Sequence, residues 1–143
     1  MIDKDIMDSE VYKIKQNNWE IINNDNNIIL KLLAYKLSTW GEDTYLIVNI
    51  DKKNNNKNII INWNSADFVF NTHKLFCRFD NDLPDNLDCK ATENNKSSII
   101  EKSDYFYNNL INSNMLIIRA SLEKSKTTRM FDVSKFRDAI KIL

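Results

Sequence analysis

One glycine, Gly41, and one proline, Pro84, serve a chain of 143 residues. Nearly every turn must therefore be made without the two residues that usually make turns. Asparagine, with 22 copies, is the substitute, because it tolerates the left-handed backbone that most side chains avoid. Asparagine-rich stretches are accordingly read as turns and loops: Asn23-Asn24-Asp25-Asn26-Asn27, and the run from Asp51 to Asn58. Between them lie short apolar segments, the pattern of a chain folded from strands.

Those segments are β in character. Residues 44–50 (TYLIVNI) are rich in branched and aromatic side chains, and 57–63 (KNIIINW) return across a polar loop, which makes the clearest hairpin in the chain. A first strand is expected near Trp19, Ile21 and Ile22. Residues 28–37 alternate ambiguously, and a two-sided buried strand is favoured over a helix. Residues 74–80 (KLFCRFD) form a further strand, with Leu87–Thr92 returning beside it. Residues 115–122 (MLIIRASL) and 126–133 (KTTRMFDV) pair about the Glu123-Lys124-Ser125 turn. Two helices are expected. One is capped by Ser103 and runs through Phe106, Leu110 and Ile111. The other is capped by Ser134, with Phe136, Ala139, Ile140 and Leu143 on one stripe. The fold class is mainly β with one or two short helices. The architecture is an antiparallel β-sandwich or curled sheet with the C-terminal helix packed on it. Residues 17–143 make a single domain, and 1–16 a loose arm or short helix.

Composition narrows the chemistry. Lys plus Arg equal Asp plus Glu at 20 each, so no global basic field draws in nucleic acid. No apolar run approaches the roughly 20 residues that span a bilayer. With a polar, acidic start and no leader pattern, the chain is expected to be soluble. It is cytoplasmic, or periplasmic if a signal peptide was removed. A single glycine excludes the Walker loop and the dinucleotide fingerprint. The one histidine, His73, excludes two-histidine zinc motifs, and no local signature supplies it with a nucleophile. His73 is read as a solvated or hydrogen-bonded loop residue. The acidic run Asp80–Asp88 has the look of a calcium loop but carries Asp85 where the glycine belongs and Ala91 where the bidentate glutamate belongs. Neither catalytic residues nor a cofactor or metal site is expected.

Three groups of residues remain as candidates. Cys77 and Cys89 flank the 80–88 loop symmetrically about Leu83, so a hairpin centred there makes a cross-strand disulfide conceivable. Two buried thiols are the alternative. Arg78 lies between Cys77 and Phe79. A turn centred near Lys124 places Arg119 and Arg129 on one sheet face. The three arginines fit an ion-pair cluster completed by Asp80 or Asp132, or a patch for an anionic partner. Of the aromatic side chains, Trp63, Phe68 and Phe70 sit in a dense segment that reads as core or as an interaction loop.

From Trp19 onward, the order of motifs resembles an accessory-protein family of bacterial type VI secretion. The resemblance is carried by Trp19, the TYLIVNI strand, Ile61-Asn62-Trp63, Cys77-Arg78-Phe79-Asp80, Leu116-Ile117-Ile118-Arg119, Phe131-Asp132-Val133-Ser134 and Ala139 in a closing helix. It differs from the family in having Lys135 where a glycine follows the Phe-Asp-x-Ser tail. The resemblance implies an exported envelope protein and transfers no catalytic residue. The expected function is a non-enzymatic protein-binding domain, with a cell-envelope or secretion accessory factor as the form the resemblance implies. The alternative is a cytoplasmic inhibitor of a toxin or nuclease, such as an immunity or phage anti-defence protein. In both cases the partner is another protein.

Overall fold

The structure, a computed structural model, describes residues 19–35, 43–64, 72–121 and 126–141. These form one sheet of nine strands, curled into a half-barrel, with two short helices. The strands are β1 (Glu20–Asn23), β2 (Asn27–Leu33), β3 (Tyr45–Asp51), β4 (Lys57–Asn62), β5 (Thr72–Phe79), β6 (Asp85–Ala91), β7 (Ser97–Ile100), β8 (Met115–Ser121) and β9 (Lys126–Asp132). The helices are α1 (Ser103–Asn112) and α2 (Phe136–Lys141). A curled sheet, one of the two expected forms, is the one adopted. The arm at 1–16 lies outside the described residues. Among these residues no helix is long and apolar enough to cross a membrane.

The asparagine turns behave as composition requires. Among the described residues, the non-glycine positions with left-handed φ are Asn55, Asn64, Asp80 and Asn95, at 57°, 54°, 53° and 57°. Each stands beyond the end of a strand, where the backbone must reverse and only a short polar side chain is tolerated.

All pairings are antiparallel, in the order β1-β2-β3-β4-β7-β6-β5-β8-β9. The β5–β6–β7 meander is laid in reverse, so β7 rather than β5 joins β4. The chain must then pass from β7 to β8 across two intervening strands, and α1 makes that passage. Its inward side chains Phe106 and Leu110 are wholly buried, and Phe106 meets Phe79 of β5 edge-on with ring centroids 5.1 Å apart. In α2, Phe136 packs against Trp19 and Tyr107 at 4.9 and 5.5 Å.

Alternation along each strand assigns the two faces. Leu30, Leu46, Val48, Ile61, Leu75, Leu116, Ile118 and Phe131 point inward and are fully enclosed. At about 1.5–3 kcal/mol for each large apolar side chain removed from water, this inner face carries the fold. The curl brings the sheet's far edge back to the end of β2. There Tyr35 N–H donates to the Met130 carbonyl (2.8 Å) and Arg129 Nε donates to Thr44 Oγ1 (3.0 Å).

Both expected serine caps are replaced. Ser103 is the first helical residue of α1, preceded by Lys102, which makes no side-chain cap. Ser134 turns its hydroxyl to the Asp132 carboxylate (2.6 Å) instead of to a helix amide. Phe136 and Ala139 are buried as the stripe required, while Leu143 lies outside the described residues.

Candidate functional site

The outer, convex face of the sheet is less polar than an ordinary solvated face, which alternates cleanly with a buried one. The register aligns Glu20, Lys31, Ile47, Ile60, Ile99 and Lys90 across six strands in one row. The three isoleucines at its centre, on β3, β4 and β7, are each half-buried. Leu33 and Tyr45 pair beside the row, and Leu33 is 37% exposed. Lys31 rests its ammonium over the Tyr45 ring, 4.1 Å from the centroid. Sequence reasoning missed this row. Its trace is the unbroken Ile59-Ile60-Ile61 run, where both faces of one strand are apolar.

The far half of the outer face carries two of the expected arginines. Phe76 pairs with Arg119, and Arg119 with Thr128, while Arg78 pairs with Ile117, and Ile117 with Met130. Arg119 Nε donates to Thr128 Oγ1 (3.1 Å), and its guanidinium lies over the Phe76 ring at 5.2 Å. Arg78 Nε is enclosed by protein and has no hydrogen-bond acceptor among the described residues.

Arg129 is not with them. The β8–β9 register sets it opposite Ile118, which points inward, whereas Arg119 points outward. The pairing is shifted by one residue from the expected one, which moves its centre by half a residue, and a slip of one exchanges the faces of every side chain on the strand. Arg129 is therefore a half-buried tie at the seam of the half-barrel, and desolvation lowers its guanidinium from the usual range.

The cysteine expectation is corrected in the same way. Leu75 pairs with Leu87, which centres the β5–β6 hairpin on Asn81 instead of Leu83. Cys77 then faces Asp85, and Cys89 faces His73. The two cysteines share the inner face, but their backbone positions stand four residues apart along the strand direction, about 13 Å, far beyond the Cα separation a disulfide can bridge. Both are free, buried thiols. Burial pushes both thiols up, Cys89 to about 12.

Trp63 is a core residue, 1% exposed, so it offers no interaction surface. Phe68 and Phe70 lie outside the described residues. His73 belongs to β5 rather than to a loop, and the fold does bring a hydroxyl to it: Ser98 Oγ of β7 is 2.7 Å from His73 Nε2. Ser98 also accepts the Trp63 indole N–H at 2.9 Å and is fully enclosed. A nucleophile needs an open side toward its substrate, and this hydroxyl has none.

Three of the four acids of the 80–88 run serve the chain itself. Asp80 Oδ1 accepts the backbone N–H groups of Asn114 and Met115, both at 2.9 Å. Asp85 accepts the Tyr105 hydroxyl, and Asp88 pairs with Lys74 at 3.6 Å. Among the described residues no group of three or more His, Cys, Asp or Glu side chains is placed to hold a metal ion.

Set against known protein families, curated proteins and solved structures, the chain finds no match in any of the three.

Proposed function

We propose that the chain is a protein-binding domain that meets its partner with the outer face of the half-barrel. The observation that supports this most is the in-register row Ile47–Ile60–Ile99, apolar and only half-buried, with Lys31 and Lys90 at its ends. A protein interface has this layout, an apolar centre with a charged rim. The inner face is spent on the core, so a change on the outer row alters recognition without dismantling the fold.

The envelope-accessory reading rests on the resemblance to the type VI secretion family, and its own test is fractionation of the native cell. Recovery in the envelope or periplasm supports it, and recovery only in the cytoplasm removes it. A nuclease inhibitor would meet a basic, phosphate-binding cleft, and the uncompensated arginines of this face do not complement one.

The functional test is affinity capture from the native organism with wild-type protein and with Ile60→Asp, followed by mass spectrometry. A partner held in 1:1 proportion by the wild type and lost by Ile60→Asp, at unchanged melting temperature, is the expected result. A partner retained equally by both proteins contradicts the outer-face reading.

A further inference from the structure

Two arginines lie on one outer face of β5 and β8, and among the described residues neither is paired with a carboxylate. Arg78 is opposite Ile117, and Arg119 is two residues further along β8, which makes the arginines diagonal neighbours about 7–8 Å apart. Like charges so placed repel unless a carboxylate intervenes. The two carboxylates expected to complete the cluster are engaged elsewhere: Asp80 with the amides of Asn114 and Met115, Asp132 with the amide and hydroxyl of Ser134. Among the described residues, the ion pairs of the outer face are Lys74–Asp88 and Lys90–Glu101. Among the described residues neither arginine has a carboxylate partner.

The two side chains are differently prepared. Arg119 is held by Thr128 and by the face of Phe76, so its guanidinium has little freedom left to lose on binding. Arg78 has an enclosed Nε–H that finds no acceptor among the described residues. Around them Phe76, Ile117 and Met130 are half-buried apolar side chains on the same face. A planar carboxylate matches the arginine fork, and apolar flanks match the surroundings. A nucleic acid backbone would need a longer track of free cations, whereas Lys74, the next cation along β5, is already paired.

We infer that Arg78 and Arg119 receive a carboxylate side chain of the protein partner, carried on a segment with apolar residues on either side of the acid. The inference rests on the outer face being the recognition surface, but it concerns a patch separate from the isoleucine row.

The test follows the Nε–Hε signals of Arg78 and Arg119 by NMR in the full 15N-labelled chain. Three probes are titrated: a blocked peptide with two glutamates around a phenylalanine, the same peptide with glutamines, and inorganic phosphate. Both arginine signals are expected to shift saturably with the glutamate peptide, with at least tenfold weaker binding of the glutamine version and of phosphate. Arg78→Gln and Arg119→Gln each weaken the peptide at least fivefold. Arg78→Lys and Arg119→Lys, which keep the charge but lose the fork, recover only part of the loss. Ile60→Asp leaves peptide affinity unchanged, so failure at the arginines and failure of the isoleucine row are separate results. Absence of a saturable shift overturns the inference, as does phosphate binding as tightly as the glutamate peptide.

Discussion

The indole N–H of Trp63 ends on the hydroxyl of Ser98, 2.9 Å away across the β4–β7 pair. The same hydroxyl lies 2.7 Å from His73 Nε2. An indole can only donate, so it occupies one lone pair of Ser98 Oγ. The serine's own proton needs an acceptor, and among the described residues His73 Nε2 is the group within reach. His73 is therefore expected to carry its ring proton on Nδ1, with Nε2 accepting. Histidine 15N chemical shifts at neutral pH check this, and a proton found on Nε2 contradicts the chain of bonds. Ser98→Ala leaves the buried Trp63 N–H without an acceptor and is expected to cost about 1–3 kcal/mol in urea denaturation.

The buried thiols make stability fall at alkaline pH. Burial raises Cys89 from its ordinary value of 9.0 to about 12 and moves Cys77 in the same direction. The folded state thus holds its thiol protons more tightly than the unfolded state. This contribution is whole below pH 9 and is lost as pH rises toward 12. Each pH unit in that window removes up to about 1.4 kcal/mol per thiol. Tyr107, also raised by burial, acts in the same sense, so the comparison of wild type with Cys89→Ala isolates one thiol. The variant is expected to show a shallower loss between pH 9 and pH 12. In native protein at pH 8 both thiols should resist a disulfide reagent until denaturant is added. Rapid reaction of either contradicts their enclosure.

Adjacent isoleucines on β4 should differ sharply. Ile61 is fully enclosed on the inner face, and Ile60 is only half-buried on the outer one. Ile61→Ala is expected to cost about 2–5 kcal/mol through lost burial and a residual cavity. Ile60→Ala should cost less than half as much. Equal losses in urea denaturation would mean that the register is wrong.

At the seam, Thr44 is 2% exposed and accepts from Arg129 Nε at 3.0 Å. Thr44→Val keeps the shape and removes the acceptor of a charged donor, for an expected loss of about 1.5–3 kcal/mol. An unchanged melting temperature would show that this bond does not hold the seam.

The strands were legible where branched residues cluster between asparagine turns. Residues 57–63 and 115–122 contain β4 and β8, and 44–50 and 74–80 overlap most of β3 and β5. The asparagines that replace glycine were legible too, since Asn55, Asn64 and Asn95 take the left-handed turns. Register was not, because it depends on how many residues each loop spends. A two-residue shift of the β5–β6 centre separates Cys77 from Cys89, and a smaller shift at β8–β9 sends Arg129 inward. Strand order was hidden as well. Ser97–Ile100 is four residues long with two serines, and only its place between β4 and β6 makes it a strand. The candidate site suffered most, since the row Ile47–Ile60–Ile99 exists only once β7 joins β4.

The claim that recognition resides on the outer sheet face is tested most directly by measuring the captured partner's affinity for two variants. Ile60→Asp places a charge in the row, and Leu83→Asp places one at the β5–β6 turn, on a side chain that is 91% exposed. The expected result is at least a tenfold loss of affinity for Ile60→Asp and no change for Leu83→Asp, with both proteins folded. Undiminished binding by Ile60→Asp, or a loss confined to Leu83→Asp, would contradict the account.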